Sequence, residues 1–324
     1  MQGRPPAVLS TLPAFSAALR PCEEDGMKKT GIAGRSLFGM MMIALAVGEA
    51  GAAENGNTQY SPGSAQFFAA GIPPFPGLYF LSQTSYFHSD RLNNGSGNKI
   101  PIDFKVSAIA ETMRFLYVSN LDIGGAKVWG QVVVPLVNLD MTLPIGNDTR
   151  FGLADVSGTL GLVWHKDKHS FVAGVDVAAP TGLYDSSKFA NIGVNHWSVQ
   201  PTLGYHYTDP QGLEVASTLR FIFNTENNDT KYTSGNEMVI DYAVGWNFDK
   251  LKIGAVGYYL QQLTDDSGPT AAADGHRGKG FAIGPSVTYA FNPGLQFSGS
   301  WQHDVIAENR AQGDTFWFNF ATKF

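Results

Sequence analysis

The chain closes with "DTFWFNFATKF" (Asp314–Phe324), in which aromatic residues recur at every second or fourth position. A period of two is that of a β-strand, because successive side chains point to opposite faces of the sheet. One face holds Phe316, Phe318, Phe320 and Phe324. The other holds Thr315, Asn319 and Lys323, with the bulky Trp317 as an exception. The stretch therefore predicts a closing strand whose aromatic face needs an apolar surrounding.

Segments with the same period recur about twelve times along the chain. They lie near 77–88, 102–118, 125–138, 151–164, 170–180, 196–208, 212–224, 237–248, 251–262, 280–291, 295–304 and 314–324. A strand that crosses a membrane at a tilt needs about 9–11 residues, whereas strands of soluble sheets usually have about 5–6. Most of these segments have the membrane-spanning length.

The connections between the segments alternate between short and long. Short ones, such as "DPQ" (209–211) and "DK" (249–250), consist of turn-forming residues. The long ones are rich in Asn, Asp, Gly and Ser and cover 89–101, 139–150, 181–195, 225–236, 263–279 and 305–313. Outer-membrane barrels have this pattern, with short periplasmic turns and long extracellular loops. An even number of strands also places both ends of the barrel wall on the periplasmic side.

The two faces of the strands differ in composition. One carries large apolar residues flanked by Trp and Tyr, and the other carries Gly, Ser, Thr, Asn and an occasional charge. A soluble barrel has its apolar face inside, but here the small polar residues fit a lumen and the aromatics fit membrane-interface girdles. We therefore predict an all-β, transmembrane, antiparallel outer-membrane barrel of about 12 strands. The alternative is a secreted β-sandwich.

The start of the chain has the layout of an export signal. From Met27 it reads Lys28-Lys29, then an apolar run of 11 residues, then small residues near Ala52. We expect residues 27–52 to be a signal peptide and residues 1–26 to be a non-native upstream extension. The only cysteine, Cys22, precedes the predicted cleavage point, so the mature chain has no disulfide. The barrel is expected to occupy 77–324.

Residues 53–76 precede the first strand and contain "SAQFFAAGIPPFP". Proline lacks the N–H that a central strand donates, so the three prolines Pro73, Pro74 and Pro76 exclude such a strand. Two alternatives remain for this apolar segment: a plug inside the barrel or a simple periplasmic tail.

The polar face of the strands supplies candidates for the lumen or the substrate path. They are Glu111, Gln131, Asp155, Asp176, Gln200, Glu214, Arg220, Asp241 and Gln302. A charge against lipid costs about 2–4 kcal/mol at mid-membrane, so we expect all of them to point inward. They either contact substrate or form only a polar interior. Arg220 is expected opposite Glu214 or Asp241, and a bulge near Met113 leaves the face of Arg114 unassigned.

Enzymatic and nucleic-acid-binding patterns are missing from the sequence. It has no HExxH, GxSxG or P-loop motif, and the mature part has no cysteine. A net charge of −6 with no basic cluster argues against a nucleic-acid partner. No stretch beyond the leader has 18 consecutive apolar residues, which excludes a helical membrane protein. We expect no catalytic activity, no metal and no cofactor.

Several long stretches are similar to one protein family. They include "PTGLYDSSKFANIGVNHWSVQP" (180–201), "FNTENNDTKYTSGNEMVIDYAVGW" (223–246), "GYYLQQLTDDSGP" (257–269) and "WQHDVIAENRAQGDTFWFNF" (301–320). They resemble the outer-membrane proteins linked to phenol meta-pathway degradation, or SphA-like transporters. The resemblance implies a Gram-negative outer-membrane barrel that admits small hydrophobic or aromatic compounds. It supplies no catalytic residues.

The residues that match the family lie mainly in the predicted outer loops. They are Asp185, Asn191, Asn195, Trp197, Asn224, Glu226, Asp241, Asp265, Glu308 and Arg310. We expect the loop residues to order the loops by hydrogen bonds and salt bridges, or to form a substrate-selecting vestibule. The expected partners are outer-membrane lipid, lipopolysaccharide, the small substrate and the barrel-assembly machinery, which would read the aromatic terminus at Phe324. A narrow porin for polar solutes and a closed structural barrel remain the alternatives.

Overall fold

The structure is a computed structural model that describes Glu54, residues 58–292 and residues 294–324. The predicted extension (1–26) and signal peptide (27–52) lie outside the described residues. Within the described part, the strands are β1 (Gly77–Ser89), β2 (Lys105–Ile123), β3 (Ala126–Leu143), β4 (Gly146–Leu153), β5 (Ser157–Lys166), β6 (His169–Ala178), β7 (Ser198–Thr208), β8 (Leu213–Asn224), β9 (Glu237–Phe248), β10 (Leu251–Gln262), β11 (Lys279–Asn292), β12 (Leu295–Glu308) and β13 (Asp314–Lys323). A short 3₁₀ turn, Gln66–Phe68, precedes them. No helix in this part of the chain is long and apolar enough to cross a membrane.

The strands form one closed antiparallel barrel. Except for β4 and β5, strands that follow each other in the chain pair with each other, and β1 also pairs with β13. Two of the thirteen strands, β4 and β5, pair with different parts of β3. Together they occupy one strand position in the wall. The wall therefore has twelve positions, as predicted. Among the described strands, every one except β4 is paired along both edges, and β4 is paired with β3 alone. Closure thus removes the free edges that a lipid surrounding does not tolerate from the rest of the wall.

The two ends of the barrel differ. Short connections such as residues 249–250 lie at what we call the turn end, and the long connections lie at the loop end. The predicted loop 139–150 is wrong: β3 runs to Leu143 and β4 starts at Gly146, which makes a tight hairpin. Its outward residues are polar, and Thr149 donates a hydrogen bond to Asp140 at 2.7 Å. These polar residues are of the types found in loops, which is why the sequence predicted a loop here.

The register separates an outward face from a lumen face, because residues opposite each other in a sheet share a face. Phe318 pairs with Thr84 and is 55% exposed, so both point outward. Asn319 pairs with Gln83, and both are buried inside. Outward aromatic side chains are found near both ends of the wall, among them Tyr86, Trp197, Trp301, Trp246 and Tyr289.

Strand β2 corrects two expectations. Its pairing with β1 and β3 is continuous from Lys105 to Val118, so there is no bulge at Met113, and Arg114 lies on the lumen face. The same register places Glu111 opposite Thr84 on the outward face, so the prediction that Glu111 lines the lumen is wrong.

The outward carboxylate of Glu111 is tolerated because two hydroxyls of β1 contact it. Ser82 and Thr84 donate hydrogen bonds to its two oxygens at 2.5 and 2.6 Å. These partners lie on the neighbouring strand and offset the cost of a charge against lipid. The sequence of β2 alone does not show them.

Candidate functional site

The N-terminal segment runs through the lumen from the loop end to the turn end; we call residues 58–76 the inserted segment. The Thr58 hydroxyl donates to Glu237 at 2.7 Å, where β9 begins at the loop end. Ala70 packs in the cluster that contains Val118 and Trp129, close to the turn end. At the turn end itself, the Tyr79 hydroxyl donates to the carbonyl of Phe75 at 2.7 Å. The segment thus spans the barrel before β1 starts.

Asp241 on β9 is the main polar contact of the inserted segment. Its carboxylate accepts hydrogen bonds from the Tyr60 hydroxyl, from the Gly63 N–H at 2.8 Å and from the Ala65 N–H at 3.1 Å. A buried carboxylate needs such donors, because an unsatisfied charge in a low-dielectric interior is very costly. Asp241 therefore fixes the segment to the wall.

Amide side chains hold the segment on the other side of the lumen. Gln302 donates to the carbonyl of Gly63 at 2.9 Å, and Gln83 donates to that of Ser64 at 2.8 Å. Asn319 donates to the side chain of Gln66 at 3.2 Å. The backbone of an irregular segment is therefore satisfied by lumen-facing polar residues, which explains the polar character of that face.

Glycines in the wall make room for the apolar side of the segment. A Cβ added to Gly245 or Gly254 would lie 2.7 or 2.8 Å from the Phe67 ring. A Cβ on Gly204 would lie 2.7 Å from that of Ala70. The small residues on β7, β9 and β10 thus form a groove that fits this segment.

A cavity of about 380 Å³ remains between the inserted segment and the wall. Its apolar side consists of Ala108, Ala110, Val133, Pro135 and Val137 on β2 and β3, with Trp317 on β13. Its polar side includes arginines, carboxylates and the glutamines Gln131 and Gln200. We call this cavity the chamber. A volume of about 150 Å³ is enough to hold benzene, so the chamber has room for a single-ring compound.

Arg220 is the arginine of the chamber with the most contacts. It donates to Gln200 at 2.7 Å, lies 3.8 Å from Asp176 and stacks 4.2 Å from the centre of the Tyr60 ring. The expectation that Glu214 or Asp241 pairs with Arg220 is wrong, because Asp176 is the carboxylate within ion-pair distance. Asp176 also accepts from Thr159 at 2.6 Å, and Gln131 donates to the same hydroxyl at 3.0 Å.

Glu214 lies in a separate cluster near the turn end. Its carboxylate contacts Lys252 at 2.6 Å, His206 at 3.0 Å and Asn247 at 2.8 Å. The Lys252 ammonium also lies 4.4 Å from the centre of the Phe67 ring. The cluster therefore stabilises the inserted segment near the turn end.

Asp155 lies in the break between β4 and β5 and holds the long loop between β6 and β7. It accepts hydrogen bonds from the N–H groups of Gly182 and Val194 at 2.8 and 2.9 Å. Gln59 of the inserted segment contacts the same carboxylate at 3.4 Å. The loop, the wall and the inserted segment therefore meet at one residue.

The predicted loop residues make hydrogen bonds and ion pairs within and between the loops. Asn191 is buried and bridges Arg150 with the backbone of Asp185, and Asn195 donates to Asn227. Hydrogen bonds from Ser187 lower the pKa of Asp185. The remaining contacts are Asn224 with Gly235, Glu226 with Lys231, Asp265 with Arg277, Glu308 with Lys279, and the Trp197 backbone with Thr225. Arg310 differs from these, because it lines the chamber beside Tyr258.

His196 is a buried histidine at the end of the loop between β6 and β7. Its ring nitrogen Nδ1 lies 3.2 Å from the carbonyl of Trp197. Burial is the main influence on its pKa and lowers it below the ordinary value. The neutral imidazole is therefore the form that the folded loop favours.

The sequence did not single out several residues that shape the lumen. Arg114 was left without a face because the residues around Met113 suggested a bulge, whereas the pairing of β2 is continuous there. Tyr60, Lys252, Glu237 and Asp304 were missed, because nothing in the sequence shows which wall residues an irregular segment will contact.

The architecture defines a class: a closed transmembrane β-barrel of the outer-membrane type, with part of its own chain in the lumen. A family profile described as "MetA-pathway of phenol degradation" matches residues 89–320, and this chain belongs to that family. A comparison with curated protein sequences found no match.

Solved structures resemble the fold at low sequence identity. An outer-membrane channel from Pseudomonas putida F1 is 16% identical, with a TM-score of 0.71 over 82% of this chain and 100% of that chain. The beta domain of the Bordetella autotransporter Brka is 10% identical, with a TM-score of 0.48 over 77% of this chain and 100% of that one. The monoaromatic hydrocarbon channel CymD is 10% identical, with a TM-score of 0.44 over 87% and 97%. The first supports the barrel fold.

Proposed function

We propose that this chain is a channel in the outer membrane of a Gram-negative bacterium that admits small hydrophobic or aromatic compounds by diffusion. The observation that carries the proposal is the chamber, which lies in the lumen of a closed barrel and has one apolar side. Membership of a family described by phenol degradation agrees with an aromatic solute. The loop end is the extracellular end in this assignment, and the turn end is periplasmic.

We further propose that the inserted segment restricts the lumen to narrow solutes. Its contacts with Asp241, Gln302 and Gln83 run along the middle of the barrel, and the chamber is free space beside it. A wide polar porin is disfavoured by this arrangement. The chain carries no enzymatic role in this proposal, and its predicted assembly partner is the barrel-assembly machinery.

The test is uptake of a labelled monoaromatic compound by cells with and without the gene. Higher initial uptake with the gene supports the proposal, and equal rates contradict it. A second measurement in planar bilayers separates the alternatives. A large conductance for simple ions with no effect of aromatics would favour a polar porin. No conductance and no uptake would favour a structural barrel.

A further inference from the structure

The carboxylates that line the chamber already have donors from the chain itself. Asp155 accepts from Gly182, Val194 and Gln59. Asp304 accepts from the Tyr258 hydroxyl at 2.6 Å and the Gly313 N–H at 3.1 Å. Asp176 accepts from two hydroxyls and lies beside Arg220, as described above. The carboxylates of the chamber are therefore largely occupied, and the buried acceptors without a donor among the described residues are the amide oxygens of Gln59 and Gln83.

The donors of the chamber are not occupied to the same degree. Arg114 makes one hydrogen bond, to the Ser64 hydroxyl at 3.1 Å, and no carboxylate of the described residues lies within 4 Å of it. The guanidinium carbon of Arg310 lies 5.8 Å from the centre of the Tyr258 ring, and Asp304 and Glu237 interact with its charge without forming an ion pair within 4 Å. The Nε atoms of Arg114, Arg220 and Arg310 are buried and have no acceptor among the described residues. A guanidinium has five N–H donors, so the chamber has a surplus of donors.

The arginines that carry these free donors line the same cavity as the apolar residues. On the lumen face, Arg114 of β2 lies directly opposite Val133 of β3. Pro135 and Val133 lie on the adjacent strand β3 and line the same cavity. A ring against the apolar side with an oxygen-bearing group toward the arginines matches both halves of the lining.

We propose that the chamber binds single-ring aromatic compounds that carry a carboxylate group, with the carboxylate toward Arg114 or Arg310. Carboxylate oxygens accept charge-assisted hydrogen bonds from guanidinium groups, and these are stronger than neutral ones. The inference rests on the proposed function and narrows its substrate class from small aromatic compounds in general to aromatic acids. It also gives the channel a physical purpose, because a charged carboxylate crosses lipid poorly.

The experiment compares 4-fluorobenzoate with 4-fluorobenzyl alcohol, which has a similar ring but no charge. Binding of each probe to the folded full chain is followed by fluorine NMR, and flux of the acid is followed in proteoliposomes. Because the loss of a hydrogen bond to a charged group corresponds to about a tenfold change or more, Arg114→Gln or Arg310→Gln should weaken binding of the acid about tenfold. Binding of the alcohol should stay within about twofold.

A matched control is Arg277→Gln, because Arg277 pairs with Asp265 in an exposed loop and does not line the chamber. It should leave binding of both probes unchanged. If Arg114→Gln fails to fold, Arg310→Gln provides the same test, and heat-modifiable mobility reports folding of each variant. Equal binding of acid and alcohol by the unaltered chain would overturn the inference, as would unchanged binding of the acid in every arginine variant that folds.

The outcomes separate this inference from the proposed function. If the channel binds and passes the alcohol or another neutral aromatic but not the acid, the proposed function stands and the inference is wrong. If the chain binds neither probe and gives no uptake, both the proposed function and the inference are wrong.

Discussion

Asp241 is the residue whose replacement should change the lumen most. Asp241→Ala removes three hydrogen bonds to a charged group, each worth about 1.5–3 kcal/mol. The inserted segment should then leave the lumen more than tenfold more often, and single-channel conductance in planar bilayers should rise. The control is Asp103→Ala, in an exposed loop. An unchanged conductance would contradict the assignment of Asp241 as the anchor.

Glu111 gives a second prediction at the scale of residues. Ser82→Ala combined with Thr84→Ala leaves its outward carboxylate without the two hydroxyl donors. An unsatisfied buried polar group costs about 1–3 kcal/mol, and a charged one more, so the free energy of unfolding should fall by at least that amount. Urea unfolding in lipid vesicles measures it. Adding Glu111→Leu to the double variant should restore most of the loss.

A matched control for this prediction is Ser119→Ala, near the turn end of the same strand as Glu111. Its hydroxyl accepts one hydrogen bond, from the Leu121 N–H at 3.1 Å, so it should affect stability little. If the double variant were no less stable than this control, the carboxylate would not depend on its hydroxyl partners.

At the scale of elements, the loop between β6 and β7 should respond to pH through His196. The folded pKa of this histidine is lowered, so the neutral form contributes stability that is complete above the ordinary value of about 6.5. That stability is lost as the pH falls below 6.5 toward the folded pKa, because the unfolded loop then binds more protons. Amide exchange in residues 182–197, corrected for the intrinsic rate, should accelerate between pH 7.5 and pH 5.

The variant His196→Gln should remove this pH dependence of exchange, whereas His88→Gln, on the exposed outward face of β1, should not. Asp155 and Glu54 act on His196 in the opposite direction and raise its pKa, but burial outweighs them. Equal acceleration in both variants would show that another group titrates.

The closing strand β13 carries a prediction about assembly. Phe324 is 72% exposed and its ring lies 6.4 Å from that of Phe80. Its packing in the finished barrel is slight, so its deletion should lower the amount of protein in the outer membrane more than it lowers the stability of the barrel that forms. Phe291→Ala removes another outward aromatic, 51% exposed, and is the control. Normal outer-membrane levels of the truncated chain would contradict the prediction.

At the scale of the whole molecule, most of the fold could be predicted from the sequence. The period of two places each side chain on one of two faces, and the alternation of connection lengths orders the strands. What failed was local: the outward carboxylate of Glu111 and the polar hairpin after Leu143. In both, polar residues on one strand are satisfied by a neighbouring strand, which a reading of one strand at a time does not include.

The interior could be predicted less well than the wall. The alternation showed that Asp241 and Gln302 belong to the polar face, but their partners lie in the inserted segment, which has no period to read. The break at Asp155 between β4 and β5 was missed for the same reason, because its role depends on a loop that packs against it. Contacts between irregular segments are set by tertiary packing and have no sequence pattern.

The inserted segment is covalently joined to β1 at the turn end, and this has a kinetic consequence. A segment that leaves the lumen remains tethered at the mouth of the barrel, where short tethers give effective concentrations on the order of millimolar. It therefore acts as an intramolecular competitor for the interior. A solute holds the segment out only when its concentration divided by its own Kd exceeds the effective concentration of the segment divided by the segment's Kd. Otherwise it must pass beside the segment. The tether, rather than the width of the wall, would then set the largest solute that crosses.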